Sequence, residues 1–178
     1  MLRAIDINQT IPHYEFAELV DKYGDPIYKF CRSLTYSKED ADDLFQETFL
    51  RAFEQLAKIN ASNNPQSFLF STTSYLWKSW KRKYARRNRL APVEPLNEAV
   101  TQGTNMDDSF VAQEEIHNIR KLVDALPDKL KIPIILYYTI EMSVPEIAST
   151  LELPIGTIKS RLFTARKLIE KGLIEHEE

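Results

Sequence analysis

The sequence predicts an all-α protein in which two small helical domains are joined by a flexible linker. Apolar residues recur every three or four positions over most of the chain, which is the period of amphipathic helices. Nine prolines and only four glycines among 178 residues leave few of the turns that β-hairpins need. One stretch, 91–108, carries two prolines, a glycine and acids but no base, which is typical of a linker. We therefore expect an arm at 1–13 and domains at 14–90 and 109–178, the second containing a helix-turn-helix.

Bulk composition narrows the class of protein. Apolar residues make up 43% of the chain and charged residues 28%, so the chain can bury a core. No apolar run approaches the ~20 residues that span a bilayer, and no signal peptide opens the chain, so we expect a cytoplasmic protein without membrane insertion. The single cysteine, Cys31, cannot form an internal disulfide and is expected to be buried. Since His13, His117 and His176 are scattered, we predict no catalytic residue, metal or cofactor.

Charge is distributed unevenly along the chain. The net charge is only −3, yet residues 55–93 carry 8 bases and no acid. Residues 1–54 have a balance of −5, residues 94–128 have a balance of −6, and the remainder is neutral. This pattern is expected when one face meets phosphate and other faces meet protein.

Two helices are predicted at the start of the chain. Apolar residues from Phe16 to Leu34 form one helix face, which Gly24-Asp25-Pro26 is expected to kink or split. Ser37 is a predicted N-cap of the next helix, with Asp40 at the capping-box position.

The second helix carries an acidic face. Asp40, Asp43 and Glu47 have the i, i+3, i+7 spacing of one helix face. Such carboxylates can hold a metal for phosphoryl chemistry, or they can form a solvated face that favours the helix dipole. The second interpretation is favoured because no histidine and no other ligand cluster accompanies them.

A polar segment and a basic, aromatic helix follow. Lys58 to Gln66 is predicted to be a loop that ends at the proline of the next helix. In the stretch from Phe68 to Arg89, four large aromatic residues alternate with seven cations. Aromatic rings stack on unpaired bases at ~1–3 kcal/mol per base, while cations follow phosphates. A solvated helix is the alternative, but nucleic-acid contact is favoured, even if one of the two indoles packs inward.

The last third of the chain predicts a helix-turn-helix. A helix stopped by Pro127 and a short apolar helix with Pro133 in its first turns come first. Ser143 then caps a short helix, and a break before Pro154 leads to a second helix expected to end at Gly172. The polar, basic side of that helix suits a DNA major groove, although an amphipathic hairpin in an all-α core has the same pattern.

Three stretches resemble bacterial RNA polymerase sigma factors, most closely the short extracytoplasmic-function (ECF) group. EIA at 146–148 with PIGTIKSRL at 154–162 is similar to the region that binds the promoter −35 element. DADDLFQETFLRAF at 40–53 is similar to the segment that docks on the largest polymerase subunit. FLFSTTSYLWKSWKRKYARRNR at 68–89 is similar to the region that recognises and melts the −10 element. The resemblance covers nearly the whole chain, in the family's order.

The resemblance implies three binding surfaces, with core RNA polymerase and promoter DNA as partners. It also implies an anti-sigma factor, often membrane-anchored, as a regulator. The residues implied in binding polymerase are Asp40, Asp42, Asp43, Leu44, Gln46, Glu47 and Phe49. Those implied at the −10 element are Asn60, Ser62, Asn63, Asn64, Tyr75, Trp77, Lys78, Ser79, Trp80, Lys81, Arg82 and Arg86. Those implied at the −35 element are Pro154, Gly156, Thr157, Lys159, Ser160, Arg161, Phe163, Thr164 and Arg166.

The roles differ within these sets. The asparagines of the polar segment would hold a flipped-out base, or the segment is a plain connector. Lys159 is the candidate for guanine contacts and Phe163 for thymine methyl groups. Arg166 would anchor a phosphate or pair with Glu170 at i+4.

Five positions depart from the family pattern. Tyr75 and Ser79 stand where an asparagine and an aspartate are usual, which puts the −10 preference in doubt. Thr164 replaces a frequent DNA-contacting arginine. Glu141 and Glu152 occupy turns where glycine is frequent, so these turns either avoid positive φ or carry strain.

The linker is long enough for a sigma factor. About 18–20 residues extend to ~60–70 Å at ~3.3–3.6 Å each. Promoter elements about 16–17 base pairs apart lie ~55 Å apart at ~3.4 Å per pair.

Two functions other than that of an ECF sigma factor also fit part of the sequence. A dimeric helix-turn-helix regulator without sigma activity explains the C-terminal domain but leaves the acidic face and the tryptophan-rich helix unused. A metal-dependent nuclease would use Asp43 and Glu47.

Overall fold

Eight α-helices and no strand make up the part of the chain that a computed structural model describes, which is residues 15–62, 64–90 and 110–177. This confirms the all-α prediction. The arm predicted at 1–13 and the linker predicted at 91–108 lie outside the described residues.

The first two helices are α1 (Phe16–Leu34) and α2 (Lys38–Glu54). Pro26 lies inside α1, which continues through it, so the predicted split is wrong. Proline removes one backbone donor, and the apolar face, with Leu19 buried before Pro26 and Ile27 buried after it, keeps the helix packed on both sides. The Ser37 hydroxyl accepts a hydrogen bond from the Asp40 backbone N–H at 3.0 Å, so the predicted N-cap of α2 is confirmed.

The predicted loop after α2 is largely helical. Helix α3 (Leu56–Ser62) occupies it, and α4 (Pro65–Leu90) follows. Ile59 is fully buried, and this anchor explains why a polar segment folds into a helical turn. The Asn64 side-chain oxygen accepts a hydrogen bond from the Ser67 N–H at 3.2 Å and caps α4, whose first residue is a proline.

Four helices follow the second gap: α5 (Phe110–Ala125), α6 (Asp128–Tyr138), α7 (Val144–Leu151) and α8 (Ile155–Glu177). Helix α7 begins with a full capping box, in which Ser143 and Glu146 bond each other's backbone N–H groups. The Glu146 carboxylate also accepts a hydrogen bond from the Ser143 hydroxyl at 2.6 Å, and this bond, followed by the one from the Ser143 backbone N–H at 2.7 Å, lowers the pKa of the carboxyl. The predicted helix-turn-helix is formed by α7 and α8.

The turns before and after α7 take the left-handed backbone that favours glycine. Glu141 has φ 61° and Glu152 has φ 53°, and both are exposed. Both glutamates therefore adopt positive φ, and both turns carry modest backbone strain.

Gly172 does not end the last helix, because α8 runs on to Glu177, and the predicted C-cap is wrong. A Cβ atom at Gly172 would lie 2.3 Å from Leu122 Cδ2 of α5. The glycine therefore serves close packing between α5 and α8.

Helices α1–α4, the N-terminal unit, pack against helices α5–α8, the C-terminal unit. Helix α4 contacts α7, and α1 contacts α6. The buried side chains of both units include large aliphatic residues such as Leu76 and Leu136. The contact between the units decides which functional side chains are covered.

Candidate polymerase and promoter interfaces

On the acidic face of α2, some carboxylates are exposed to solvent and others accept hydrogen bonds from side chains of the same chain. Asp40 and Asp43 are exposed. Asp42 accepts hydrogen bonds from the Lys38 ammonium and the Tyr28 hydroxyl, each at 2.8 Å. These bonds, the Lys38 bond first, lower the pKa of the Asp42 carboxyl. Among the described residues no group of three potential metal ligands is close enough to hold an ion, so nothing there supports the metal interpretation.

Two residues predicted on this surface lie in the core instead. Leu44 is fully buried and Phe49 is 5% exposed. Both lie on the apolar stripe of α2, so they can support the acidic face but cannot form it. The prediction that they contact the polymerase directly is corrected accordingly.

Sequence reasoning missed two apolar residues on the exposed side of α2. Leu50 and Phe53 are 57% and 60% exposed. Counted from Asp43, Leu50 and Phe53 lie at i+7 and i+10, so they share the helix face of Asp43 and Gln46. That face is therefore acidic and polar near the middle of α2 and apolar at its C-terminal end. The same helical spacing was the signal that could have found them.

The polar segment before α4 offers little surface for a base. Asn60 is 6% exposed and belongs to the interior, which corrects its predicted contact with a base edge. Asn64 is exposed, and its side-chain oxygen caps α4. The side chain of Ser62 and the whole of Asn63 lie outside the described residues.

Helix α4 is open to solvent at Tyr75 and Lys78 and on all sides from Lys81 to Arg86. Its exposed side chains are Tyr75, Lys78, Lys81, Arg82, Lys83, Tyr84 and Arg86. Tyr75 and Tyr84 are 60% and 65% exposed, so two rings are available for stacking. The exposed cations between them give this part of α4 the positive charge that a nucleic-acid backbone requires.

The two tryptophans of α4 are engaged within the chain. Trp77 is 5% exposed. Trp80 is half-buried, and its Nε1–H donates a hydrogen bond to Glu47 Oε2 at 3.0 Å. Ser79 is also half-buried. The predicted stacking role of Trp77 is therefore not available in this arrangement, in which the ammonium groups of Lys81 on α4 and Lys131 on α6 lie 4.7 Å and 5.2 Å from its ring centroid.

The N-terminal half of α8 is open to solvent. Its inward side consists of Ile158, Leu162 and Ala165, all buried. Thr157 and Arg161 are half-buried. The predicted −35 residues that are exposed are Pro154, Gly156, Lys159, Ser160, Phe163, Thr164 and Arg166.

The hydroxyl groups on this face are partly satisfied by the helix itself. Ser160 donates to the Thr157 carbonyl and Thr164 donates to the Ser160 carbonyl, each at 2.9 Å. Lys159 and Phe163, the latter 61% exposed, remain the most prominent side chains for base contacts.

Arg166 is held by aromatic neighbours. Its Nε–H donates to the Tyr138 hydroxyl at 2.9 Å, and the guanidinium carbon lies 5.6 Å and 5.7 Å from the Tyr137 and Tyr138 ring centroids. Glu170 pairs with Lys167 at 3.7 Å, so the predicted Arg166–Glu170 pair is not formed. The Nε contact leaves the terminal nitrogens of Arg166 as the donors for a phosphate.

Two family models match the chain in order. The Sigma-70 region 2 model matches residues 19–87, and the Sigma-70 region 4 model matches residues 116–169. The first match begins within α1 and ends within α4, and the second begins within α5 and ends within α8. The class of protein is therefore a bacterial sigma factor of the sigma-70 type.

Similar proteins identify the group of sigma factors to which the chain belongs. The chain is 30% identical over 165 residues to the ECF RNA polymerase sigma factor SigW of Bacillus subtilis, which covers 89% of this chain and 88% of that protein. It is 24% identical over 138 residues to the ECF RNA polymerase sigma-E factor of Escherichia coli, which covers 74% of this chain and 72% of that one. The chain belongs to the ECF RNA polymerase sigma factor family, whose members recognise promoters.

Solved structures show the same fold. The sigma factor RpoE of Bartonella quintana, in complex with the anti-sigma factor NepR, has a TM-score of 0.69 at 22% identity and covers 89% of this chain and 96% of its own. CnrH in complex with the cytosolic domain of CnrY has a TM-score of 0.65 at 20% identity, covering 92% and 89%. Within the described ranges, no helix is long and apolar enough to cross a membrane.

Proposed function

We propose that this ECF sigma factor divides its work between the two units. The N-terminal unit binds core polymerase through the exposed side of α2 and engages the −10 element through the exposed part of α4. The C-terminal unit grips the −35 element with the first turns of α8. Catalysis belongs to the polymerase, so the chain itself needs no catalytic residue and no cofactor.

The observation that carries this proposal is the pair of exposed faces within the two family modules. On α2, Asp43 and Gln46 face solvent above a buried apolar stripe. On α8, Lys159 and Phe163 face solvent above Ile158 and Leu162. A charged, exposed helix face over a fixed core is what a docking helix or a major-groove helix requires.

We also propose that a membrane-anchored anti-sigma factor is a regulatory partner. One sigma factor with this fold, RpoE of Bartonella quintana, was solved with the anti-sigma factor NepR, and CnrH, which has the same fold, was solved with the cytosolic domain of CnrY. Co-purification from membranes with this chain as bait would test the proposal.

Runoff transcription tests the proposed function. Purified core polymerase is given promoter-enriched genomic fragments, with and without this chain, and new discrete transcripts are the expected result. Their start sites define the −10 and −35 elements. If no transcript appears while the chain alone binds specific duplex sites as a dimer, the regulator without sigma activity is the better account.

Two substitutions test the division of work. Asp43→Ala is expected to weaken the complex with core polymerase, with Asp21→Ala, an exposed acid on α1, as the matched control. Trp80→Ala is expected to reduce promoter opening more than promoter binding, measured by permanganate reactivity against gel shift. Equal losses in both assays would contradict a role for α4 in opening.

A further inference from the structure

The last residues of α6 contact Arg166 on the exposed side of α8. We propose that Tyr138, assisted by the ring of Tyr137, is a positioning residue for promoter binding, which aims the terminal nitrogens of Arg166 at a phosphate of the −35 duplex. This role rests on the proposed function of α8. It adds a contribution from α6, a helix that lies outside the helix-turn-helix of α7 and α8.

Arg166 lies on the side of α8 that carries the candidate base contacts. Lys159, Phe163 and Arg166 have the i, i+4, i+7 spacing of one helix face, and all three are exposed. At about 1.5 Å per residue, Arg166 is ~10 Å further along the helix axis than Lys159. The major groove is ~12 Å wide, and a recognition helix reads base edges with its N-terminal residues. Arg166 is therefore at the distance of the phosphates that border the groove.

Three contacts fix the guanidinium of Arg166. Its Nε–H donates a hydrogen bond to the Tyr138 hydroxyl at 2.9 Å. The guanidinium carbon lies 5.6 Å from the Tyr137 ring centroid and 5.7 Å from that of Tyr138, which is within the range of cation–π attraction. Since the hydrogen bond uses only the Nε–H, the N–H groups of both terminal nitrogens stay available for a phosphate.

The two tyrosines are held by the packed end of α6. Their rings lie edge to face, with centroids 4.9 Å apart and planes at 76°. Ile134, Ile135 and Leu136, the residues just before them, are buried in the core. The exposed ring of Tyr138 therefore holds Arg166 at the surface from a fixed position. An arginine that is ordered before DNA arrives loses less conformational entropy when it binds.

Tyr138 holds Arg166 without neutralising its charge. Glu170, one turn further along α8, pairs with Lys167 at 3.7 Å, and no ion pair within the described residues includes Arg166. A carboxylate partner would order the guanidinium equally well but would oppose its attraction to a phosphate. A hydroxyl acceptor carries no charge of its own, so the full positive charge of Arg166 remains for DNA.

Tyr138→Phe tests the role, because it removes the hydroxyl acceptor and keeps the ring. Reconstituted holoenzyme is titrated against a duplex carrying the −35 element mapped by runoff transcription, over a range of salt concentrations. We expect the affinity to fall by about two- to tenfold, the range for loss of one hydrogen bond. The slope of log affinity against log salt should become shallower, towards the change of ~0.9 that loss of one phosphate contact gives.

Tyr137→Phe is the matched control on the neighbouring ring. It keeps the cation–π contact and removes a hydroxyl other than the one that accepts the Arg166 hydrogen bond, so affinity and slope should stay native. Arg166→Ala should lower the affinity more than Tyr138→Phe does and reduce the slope by ~0.9. In the Arg166→Ala background, Tyr138→Phe should have no further effect, as expected of a residue that acts through the arginine.

The outcomes separate the positioning role from the proposed function. Native affinity and slope for Tyr138→Phe, or equal losses for Tyr137→Phe and Tyr138→Phe, would overturn the role while leaving sigma activity intact. A full loss from Tyr138→Phe in the Arg166→Ala background would mean that Tyr138 contacts DNA itself, which would also overturn it. If the native chain yields no transcript with core polymerase, the proposed function fails and the positioning role fails with it.

Discussion

The two helices proposed to meet promoter DNA, α4 and α8, differ in what their side chains contact within the chain. On α8, Lys159 is exposed and Phe163 is 61% exposed, above a buried side that fixes the helix. On α4, Trp77 is 5% exposed and the Lys81 ammonium is paired with Asp128. The side chains of α8 proposed to bind DNA are therefore open to solvent, whereas some of those on α4 contact other residues of the same chain.

This difference matches the DNA that each helix is proposed to bind. The −35 element is read as a duplex, whose major groove exists before the protein arrives, so a rigid exposed helix suffices. The −10 element is used after its strands separate, and stacking on unpaired bases requires large aromatic faces. An indole left open to water before melting would add exposed apolar surface, and covering it avoids that surface. A surface that reads duplex DNA can therefore be fully exposed in the free chain, whereas a surface that binds single strands can be kept covered.

The largest effect is expected on the open helix. Lys159→Ala removes the side chain best placed for a guanine edge, so −35 affinity should fall by about 10- to 100-fold, equivalent to ~1–3 kcal/mol. The affinity is measured by fluorescence anisotropy of the holoenzyme on a duplex carrying the mapped −35 element. Stability should not change, because Lys159 is exposed.

Lys171→Ala is the matched control on the same helix. Lys171 is also exposed and lies three turns further on, where its ammonium pairs with Glu175 at 3.4 Å. Equal losses for the two lysines would mean that general charge, and not the first turns of α8, binds the element.

A smaller effect is expected on the engaged helix. Trp80→Phe keeps the aromatic ring but removes the 3.0 Å hydrogen bond to Glu47. A hydrogen bond to a charged acceptor contributes ~1.5–3 kcal/mol when buried, so a loss of about 1 kcal/mol in free energy of unfolding is expected for this half-buried pair. Urea denaturation measures it. Tyr84→Phe, an exposed ring one turn later, should change nothing, and a similar loss in both variants would contradict the role of the bond.

Local sequence signals predicted much of the fold. The Ser143–Glu146 capping box and the Ser37 cap depend on residues three positions apart, so the printed sequence contains the whole interaction. The exposed face of α8 follows equally from helical period, because the buried positions of Ile158 and Leu162 fix where Lys159 points.

The features that were mispredicted depend on residues distant in sequence. Local sequence predicts a helix end at Gly172, whereas the feature that distinguishes this glycine is the close approach of Leu122 on another helix. Polar composition predicts a loop around Asn60, whereas the burial of neighbouring Ile59 makes the segment helical. The covering of Trp77 depends on Lys131, on the other side of the linker. No window of local sequence contains these contacts.

The smallest effect is expected at the turn that positions α8. Glu152 adopts φ 53°, a left-handed backbone that costs a side chain of this type about 1 kcal/mol relative to glycine. Glu152→Gly should therefore raise the free energy of unfolding by up to ~1 kcal/mol, since the greater entropy of the unfolded glycine offsets part of the gain. Thermal and urea denaturation of the full chain measure the change.

Glu170→Gly is the control for this last substitution. Glu170 is an exposed residue inside α8, and there the same replacement should destabilise by about 0.5–1 kcal/mol. Opposite signs for the two variants would tie the gain to the left-handed turn. Because Glu152 lies outside the open face of α8, −35 affinity should stay at its native value, and a loss of affinity would mean that the strained turn itself sets the approach of α8 to DNA.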